Sequence, residues 1–286
     1  MNAETLDLLV SRSDPVVVGG VGGSGTRLIA QCLKQLGFFI GYDLNISDDN
    51  LWFTLLFRRP DIFDLSDEEF DELVDIFLTG MSGSNQFTER QVELINWLAS
   101  TDRGHVPATW LKQRARTLLS KKPAVPTATG WGWKAPNSHI ILDRLLNRFN
   151  RMKYILVARN GLDMAFSRNQ NQLRLWGKHF FGDQFEICPR LSLKYWCIVH
   201  RRVLDIGKSM GDNFLFISYD RFCSDPGAGA TELCNFLGLD DSGMLTSSIL
   251  KLVRPPKSIG RFRNHDIALF DKEDVAYVRE LGFDVD

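Results

Sequence analysis

Residues 16–28 read VVVGGVGGSGTRL, and this stretch decides the fold. Its β-branched start is typical of a buried parallel strand, and an amphipathic helix is predicted to begin at about Thr26. The glycines between these elements allow positive φ angles, so several backbone N–H groups can point into one concavity. The helix N-terminus adds partial positive charge, and Ser24 and Thr26 add hydroxyl donors. The stretch therefore predicts a phosphate cradle between a strand and a helix.

This loop does not match the motif of the Walker nucleoside triphosphatases. When the GxxxxGK[ST] pattern is started at Gly20, the second glycine falls on Gly25, but Thr26 and Arg27 occupy the Lys and Ser/Thr positions. A dinucleotide-binding fingerprint fits only loosely, because the Ser-Gly-Thr-Arg tail is not part of it. The loop thus indicates an anion site without a Walker lysine.

The composition of the chain limits its partners and its compartment. Its 286 residues have a formal net charge of −1, which gives no global attraction to nucleic acid or to an anionic membrane. Five cysteines without a CxxC pair favour reduced thiols over a disulfide frame or a zinc site. The N-terminus has no signal-peptide pattern, and no apolar run approaches the length of a membrane span. We expect a cytoplasmic protein with no membrane span and no nucleic-acid partner.

Strand-like apolar runs alternate with helical patterns along the chain, and the commonest hairpin signals are missing. This organisation predicts an α/β fold with a central parallel sheet flanked by helices. Residues 51–122 are predicted to be mostly helical, because two capping boxes and several amphipathic segments fall there. We interpret residues 1–286 as a single domain with a helical insert at about 51–122. The further predicted strands are 38–40, 130–134, 154–158 and 214–218, and the capping boxes pair Ser66 with Glu69 and Thr88 with Gln91.

Residues 158–170, ARNGLDMAFSRNQ, form a second candidate anion site. Arg159 stands where a predicted strand ends, and Ser167 follows eight residues later, about two turns up a predicted helix. Both can face one ligand group at the carboxyl edge of the sheet, where the arginine supplies a charged fork and the serine a hydroxyl. Asp163 can orient the arginine and complement the helix dipole. The pattern indicates a second phosphate contact.

Together these two segments resemble the PAPS-dependent sulfotransferase family. That family has a 5′-phosphosulfate loop of the form P-[KR]-S-G-T-T after its first strand, and its 3′-phosphate motif has an Arg at a strand end and a Ser eight residues later. Arg159, Asp163 and Ser167 match the second motif. The residues that stand in place of the first are Gly22, Gly23, Ser24, Gly25, Thr26 and Arg27.

Two later segments extend the resemblance. Residues 217–226, ISYDRFCSDP, look like the family's Y-E-D-L/F…D-P element, and residues 257–264, KSIGRFRN, look like its C-terminal G-x-[WF]-[KR] loop. In the family that loop closes over the nucleotide, which implies nucleotide contacts from Lys257, Gly260 and Arg261. The resemblance implies a P-loop-like sulfotransferase fold that uses PAPS as donor, releases PAP and needs no metal. The acceptor would be a hydroxyl or amine of a small molecule, carbohydrate or peptide, and the motifs specify neither it nor an oligomeric state.

One position departs from the family pattern. Gly23 stands where the family has the Lys or Arg that contacts the transferring sulfuryl group. Two residues could supply that charge: Arg27, in the first turn of the predicted helix, or Lys134, which resembles a lysine at a strand end in the family's active site. Sulfuryl transfer needs positioning and charge neutralisation more than covalent help from the protein. Either cation could therefore serve.

An acceptor hydroxyl also needs a general base, because an alcohol attacks well only as its proton leaves. Asp43 is the first candidate, since it follows the second predicted strand near where several family members carry a catalytic glutamate. His139 is the second candidate, although cytosolic family members have their histidine where Pro136 stands here.

Two other functions remain open from the sequence. A P-loop-like nucleotide kinase would bind ATP, but the Walker lysine and an obvious magnesium motif are missing. A non-catalytic nucleotide-binding protein could have kept the fold and lost its cation at Gly23. The aromatic residues of the insert are expected to pack its core. Its arginines, among them Arg58, Arg59 and Arg114, are expected to be solvated unless the acceptor is itself acidic.

Overall fold

The computed structural model describes residues 6–104, 106–125, 127–240 and 243–286. Its five strands are β1 (Val16–Gly19), β2 (Phe38–Phe39), β3 (Gly130–Lys134), β4 (Lys153–Ala158) and β5 (Phe214–Ser218). They form one sheet in the order β2-β3-β1-β4-β5, and every neighbouring pair is parallel. The predicted α/β fold with a central parallel sheet is confirmed.

Helices connect the strands and cover both faces of the sheet. Successive residues of β1 show this, because Val17 packs in one apolar cluster with Trp133 and Val18 in another with Ile29. The described helices are α1 (Leu6–Arg12), α2 (Thr26–Gln35), α3 (Leu51–Phe57), α4 (Asp67–Ser82), α5 (Glu89–Ser100), α6 (Ala108–Leu119), α7 (Leu142–Arg148), α8 (Gly161–Ala165), α9 (Asn171–Phe181), α10 (Pro189–Met210), α11 (Tyr219–Ser224), α12 (Pro226–Leu237), α13 (Met244–Leu250) and α14 (Lys272–Glu280). Short 3-10 helices lie at Pro60–Phe63, Pro136–Ile141, Gly211–Asn213, Arg261–Asn264 and Ile267–Leu269.

Helices α3 to α6 lie between β2 and β3, within the predicted insert. Both predicted capping boxes are present: the Glu69 N–H donates to the Ser66 hydroxyl at 3.2 Å, and the Ser66 N–H donates to the Glu69 carboxylate at 2.8 Å. Thr88 and Gln91 form the same reciprocal pair at the start of α5. The aromatic core of the insert is also confirmed, with Trp52, Phe53, Phe57 and Phe70 buried and Phe63 half-buried. The division of the chain into one domain with an insert stays a prediction.

Two local predictions were wrong. Ser167 does not lie two turns up a helix, because α8 has only five residues and ends at Ala165. Past that point the Ser167 N–H donates to the Met164 carbonyl at 3.0 Å, and the Ser167 hydroxyl accepts from the Asn169 N–H at 3.2 Å. Serine and asparagine side chains that bond nearby backbone in this way compete with the helix, which explains its early end.

The arginines of the insert also differ from the expectation of solvated charges. Arg59 and Arg114 are only 6% and 9% exposed, and each is ion-paired, with Asp61 and Asp43 respectively. Arg58 is half-buried and lines a cavity. In the described ranges, no helix combines the length and the apolar character that crossing a bilayer requires.

Candidate active site

A cavity of about 810 Å³ opens at the carboxyl ends of β1 and β3. Its walls come from the glycine-rich loop after β1, from the end of β3, from residues 45–51 and from the insert. Carboxyl ends of parallel strands at a change of strand order are where open α/β sheets bind ligands. The sheet topology therefore places this cavity where the sequence predicted the anion site.

The glycine-rich loop has the conformation of a cradle. Gly20, Gly23 and Gly25 have φ angles of 150°, 99° and 97°, which side chains rarely adopt. Gly22, Gly23, Gly25 and Thr26 line the cavity. The Ser24 hydroxyl is fully buried and, within the described part of the chain, has no hydrogen-bond partner. A buried hydroxyl without a partner is costly, and Ser24 lies in the loop between the cavity-lining residues Gly23 and Gly25.

Gly25 lies against an aromatic ring from another part of the chain. A Cβ at Gly25 would overlap the ring of Tyr219, the first residue of α11. Tyr219 belongs to the ISYDRF segment and lines the cavity. Burial raises the pKa of its hydroxyl to about 12. The third sequence motif is therefore packed directly on the first.

Residues 45–50, which follow β2, are organised by two asparagine side chains. The Asn45 side-chain oxygen accepts from the backbone N–H of Ser47 at 2.8 Å and of Asp49 at 3.0 Å. The Asn50 side chain caps α3 by accepting from the Phe53 N–H at 3.0 Å, and its backbone N–H donates to the Lys134 carbonyl at 2.9 Å. This loop is thereby fixed both to the insert and to the end of β3.

The two candidate cations come together at this loop. The Lys134 ammonium donates to the Ser47 carbonyl at 3.1 Å and is ion-paired with Asp49, while the Arg27 guanidinium donates to the Ser47 hydroxyl. Lys134 is only 2% exposed, and burial lowers the pKa of its ammonium, with the Asp49 carboxylate opposing that effect. Both cations line the cavity. They form one local positive charge centre beside the glycine-rich loop.

The two aspartates near this centre have different surroundings. Asp43 does not line the cavity; its carboxylate accepts from Arg114 at 2.7 Å and from the Thr117 hydroxyl. Asp49 lines the cavity, and besides Lys134 it accepts from the Asn45 amide at 2.8 Å. The structure therefore brings Asp49, and not the predicted Asp43, to the cavity.

His139 lies behind the cavity and reaches it through another residue. Its ring is 1% exposed and bonds the Gln172 side chain at 3.1 Å. Gln172 lines the cavity and donates to the Gly20 carbonyl at 3.2 Å. Burial lowers the pKa of His139 to about 3, so the ring is neutral at physiological pH. His139 thus supports the position of the glycine-rich loop.

The second, third and fourth motifs meet at the end of β4. Arg159 is 7% exposed, donates to the Ser258 hydroxyl at 2.9 Å and lies 3.8 Å from the Asp163 carboxylate. Asp163 accepts from the backbone N–H groups of Gly260 at 2.8 Å and Phe262 at 3.1 Å. The Arg159 guanidinium lies 6.0 Å from the Tyr219 ring centroid, and its Nε is buried without a partner in the described chain.

The remaining predicted nucleotide contacts surround this cluster. Arg261 donates to the Phe166 carbonyl at 3.3 Å, which joins residues 257–264 to the segment of Ser167. Lys257 is exposed and Ser167 is half-buried. Neither they nor Arg159, Gly260 and Arg261 line the 810 Å³ cavity. The structure thus groups the predicted residues into a cavity set and an Arg159 set, which Tyr219 connects.

Several residues of the cavity were missed from the sequence. Asn169 and Gln172 line the side near Gly22, and Ser47 and Asp49 line the side near Lys134. A usable signal existed for the second pair, because NISDDN is a polar cluster that begins five residues after the predicted strand 38–40, at the sheet edge where ligands bind. In the ranges that the structure describes, no three His, Cys, Asp or Glu side chains are grouped as metal ligands.

Comparison with known proteins agrees with this geometry. The model of the sulfotransferase family matches residues 15–243, whereas no match was found among curated proteins. The sulfotransferase domain of the Synechococcus PCC 7002 olefin synthase is 16% identical, with 96% of each chain covered and a TM-score of 0.52. A sulfotransferase domain from the curacin biosynthetic pathway is 13% identical, covering 96% of this chain and 100% of that one, with a TM-score of 0.51. The fold is the P-loop-like fold of sulfotransferases, and the chain belongs to the sulfotransferase family.

Proposed function

We propose that this chain transfers a sulfuryl group from PAPS to a hydroxyl or amine of an acceptor that enters the 810 Å³ cavity. One observation carries the proposal. The glycine-rich loop, whose buried Ser24 hydroxyl has no partner among the described residues, lines through Gly22, Gly23 and Gly25 the same cavity as the Lys134 ammonium and the Arg27 guanidinium. A phosphosulfate has one anionic group for the cradle and a second for the cations.

The two residue sets divide the donor between them. Residues 22–27 would hold the 5′-phosphosulfate through loop amides and the hydroxyls of Ser24 and Thr26. Arg159 would hold the 3′-phosphate, and Ser167, Lys257, Gly260 and Arg261 would surround it. The Ser24 hydroxyl and Nε of Arg159 support this assignment, since both donors are buried and have no hydrogen-bond partner in the part of the chain that the structure describes.

The reaction requires a base and a positive charge near the sulfur. The acceptor hydroxyl gives its proton to a carboxylate as its oxygen bonds to sulfur. The bond between sulfur and the 5′-phosphate oxygen breaks, and its electron pair leaves with PAP. Lys134 and Arg27 neutralise the charge on the transferring oxygens. Asp49 is better supported as the base than Asp43, because Asp49 lines the cavity and Asp43 does not. His139 is less well supported, since it does not line the cavity.

Calorimetry with PAP tests the donor assignment. We expect micromolar binding of PAP, and Arg159→Ala should weaken PAP far more than 5′-AMP, by about 2 to 5 kcal/mol, because a buried charge-assisted contact is lost. Arg168→Ala, at an exposed arginine of the same segment, is the matched control and should change neither affinity. Equal losses for both nucleotides would refute the assignment of Arg159. Tighter binding of ATP with Mg²⁺ than of PAP would favour a kinase, and PAP binding without any turnover of labelled PAPS would favour a non-catalytic protein.

A further inference from the structure

Arg58 is a cation of the cavity wall that forms no ion pair with any residue the structure describes. It follows the last residue of α3 and lines the cavity. Among the described residues it forms no ion pair, and its Nε is buried without a hydrogen-bond partner. Burial lowers the pKa of its guanidinium, and Asp49 is the opposite charge that offsets part of this effect. The wall thus holds a desolvated positive charge that faces the cavity.

The other buried arginines of the insert are all engaged. Arg59 is paired with Asp61, and Arg114 with Asp43. Arg103 donates to backbone carbonyls, including that of Leu55 at 2.7 Å. The buried Nε of the half-buried Arg58 has no such partner in the described chain, which costs free energy, so this contrast singles out Arg58 as a residue kept for something other than stability.

The surroundings of Arg58 define the rest of the acceptor region. Phe53 and Trp110 line the same cavity from α3 and α6, and Val106 and Pro107 line it beside them. The glycine-rich loop and its two cations form another part of the wall. Among the described residues that line the cavity, these apolar and aromatic side chains therefore accompany the guanidinium of Arg58, which forms no ion pair.

We propose that the acceptor is an acid: a hydroxyl compound that carries an oxyanion, which Arg58 binds, on an apolar body that contacts Phe53 and Trp110. This rests on the proposed function, and it names the substrate class of the same site. A guanidinium presents a planar fork that matches a carboxylate, phosphate or sulfate group, and the contact is charge-assisted. A neutral acceptor would leave the guanidinium buried and uncompensated, so the site discriminates against it.

Matched acids and amides test the proposal. The panel is mandelate, hydroxyphenylacetate and hydroxybutyrate, each against its amide, titrated into the protein with saturating PAP and assayed with labelled PAPS. We expect at least one acid to bind about tenfold or more tightly than its amide and to be the better acceptor. Arg58→Gln should bring this ratio close to one without changing the affinity for PAP, and Arg58→Lys should retain part of the preference.

Arg116→Gln is the control, because it removes the same charge from an exposed position of α6 that does not line the cavity. The proposal is wrong if no acid of the panel binds better than its amide, or if Arg58→Gln leaves the preference unchanged. It is also wrong if Arg58→Gln weakens PAPS binding instead, since Arg58 would then belong to the donor site. Failure of the proposed function would give a different result, because the protein would then not bind PAP. Repeating the titrations without PAP measures the preference for acids independently of the donor.

Discussion

The glycine-rich loop forms one side of the cavity through Gly22, Gly23 and Gly25, whereas a second side combines residues 45–49, Lys134 and helices α3 and α6. The backbone conformation shapes the first side, through positive φ angles at Gly23 and Gly25. The second side is held by ion pairs and side-chain hydrogen bonds between distant segments, such as those of Asp49 with Lys134 and of Asp43 with Arg114.

This difference decides how each side should fail. A side chain added to the loop strains backbone that nothing else can replace, so stability and donor binding are lost together. Removal of a charge from the second side changes the electrostatic potential in the cavity while the backbone conformation is retained, so turnover and stability can be changed separately.

The largest expected effect is that of Gly25→Ala. The methyl group would overlap the Tyr219 ring at a φ of 97°, so we expect a loss of about 3 to 5 kcal/mol in the free energy of unfolding and no measurable PAP binding. Denaturant unfolding and calorimetry measure the two effects. Gly22→Ala is the control, because its Cβ would lie 3.6 Å from the Asn169 amide nitrogen, which is an ordinary van der Waals distance. Equal tolerance of both variants would contradict the described packing of the loop.

A smaller effect should separate the two aspartates. We expect Asp49→Asn to lower the turnover of PAPS by about a hundredfold with PAP affinity nearly unchanged, through loss of the base. Asp43→Asn should instead cost about 2 kcal/mol of unfolding free energy, through its contact with Arg114, with a smaller loss of turnover. Steady-state kinetics and chemical denaturation on both variants form the test. The reverse pattern would restore Asp43 as the base.

The smallest effect concerns acid stability and the support of the glycine-rich loop. Burial lowers the pKa of His139 to about 3 and of His200 to about 4, below the ordinary value of 6.5. The unfolded chain therefore binds more protons below pH 6.5, and the free energy of unfolding falls as the pH decreases from about 6.5 towards 4. Each histidine should remove about 2 kcal/mol between pH 7.5 and pH 5. His139→Asn should shrink that loss by the same amount in urea titrations at the two pH values; an unchanged loss would mean that His139 is protonated in the folded protein.

The glycine-rich side of the cavity could be predicted, because the sequence patterns that specify it are local. Four glycines after a β-branched run, then Ser24 and Thr26, specify strand, loop and helix within about a dozen residues, and the structure has all three. The central parallel sheet also followed from the alternation of strand and helix patterns along the chain, whereas the order of its strands was not predicted. The end of α8 was harder, because the competing bonds of Ser167 and Asn169 depend on side-chain positions that composition does not reveal.

The second side of the cavity could not be predicted, because most of its ion pairs join residues that are far apart in sequence. Asp43 and Asp49 both follow β2 and are equivalent in a string of letters; only the packing of α6 assigns Arg114 to the first and leaves the second beside Lys134. Arg58 and Arg59 are likewise adjacent and chemically identical, yet only Arg59 has a carboxylate partner among the described residues. Side-chain pairing made these distinctions, across long stretches of sequence for Asp43 and Asp49 and between near neighbours for Arg59, whereas residue type did not.

The two N–H groups that Asp163 accepts, from Gly260 and Phe262, set a limit on how the chain can be shortened. The match to the family ends at residue 243, but this carboxylate is only 1% exposed, and its backbone donors lie beyond that point. A protein cut after residue 243 would leave a buried negative charge unsolvated and Arg159 without Ser258. The smallest unit worth expressing therefore includes the last 43 residues. We expect limited proteolysis in this tail to abolish PAP binding.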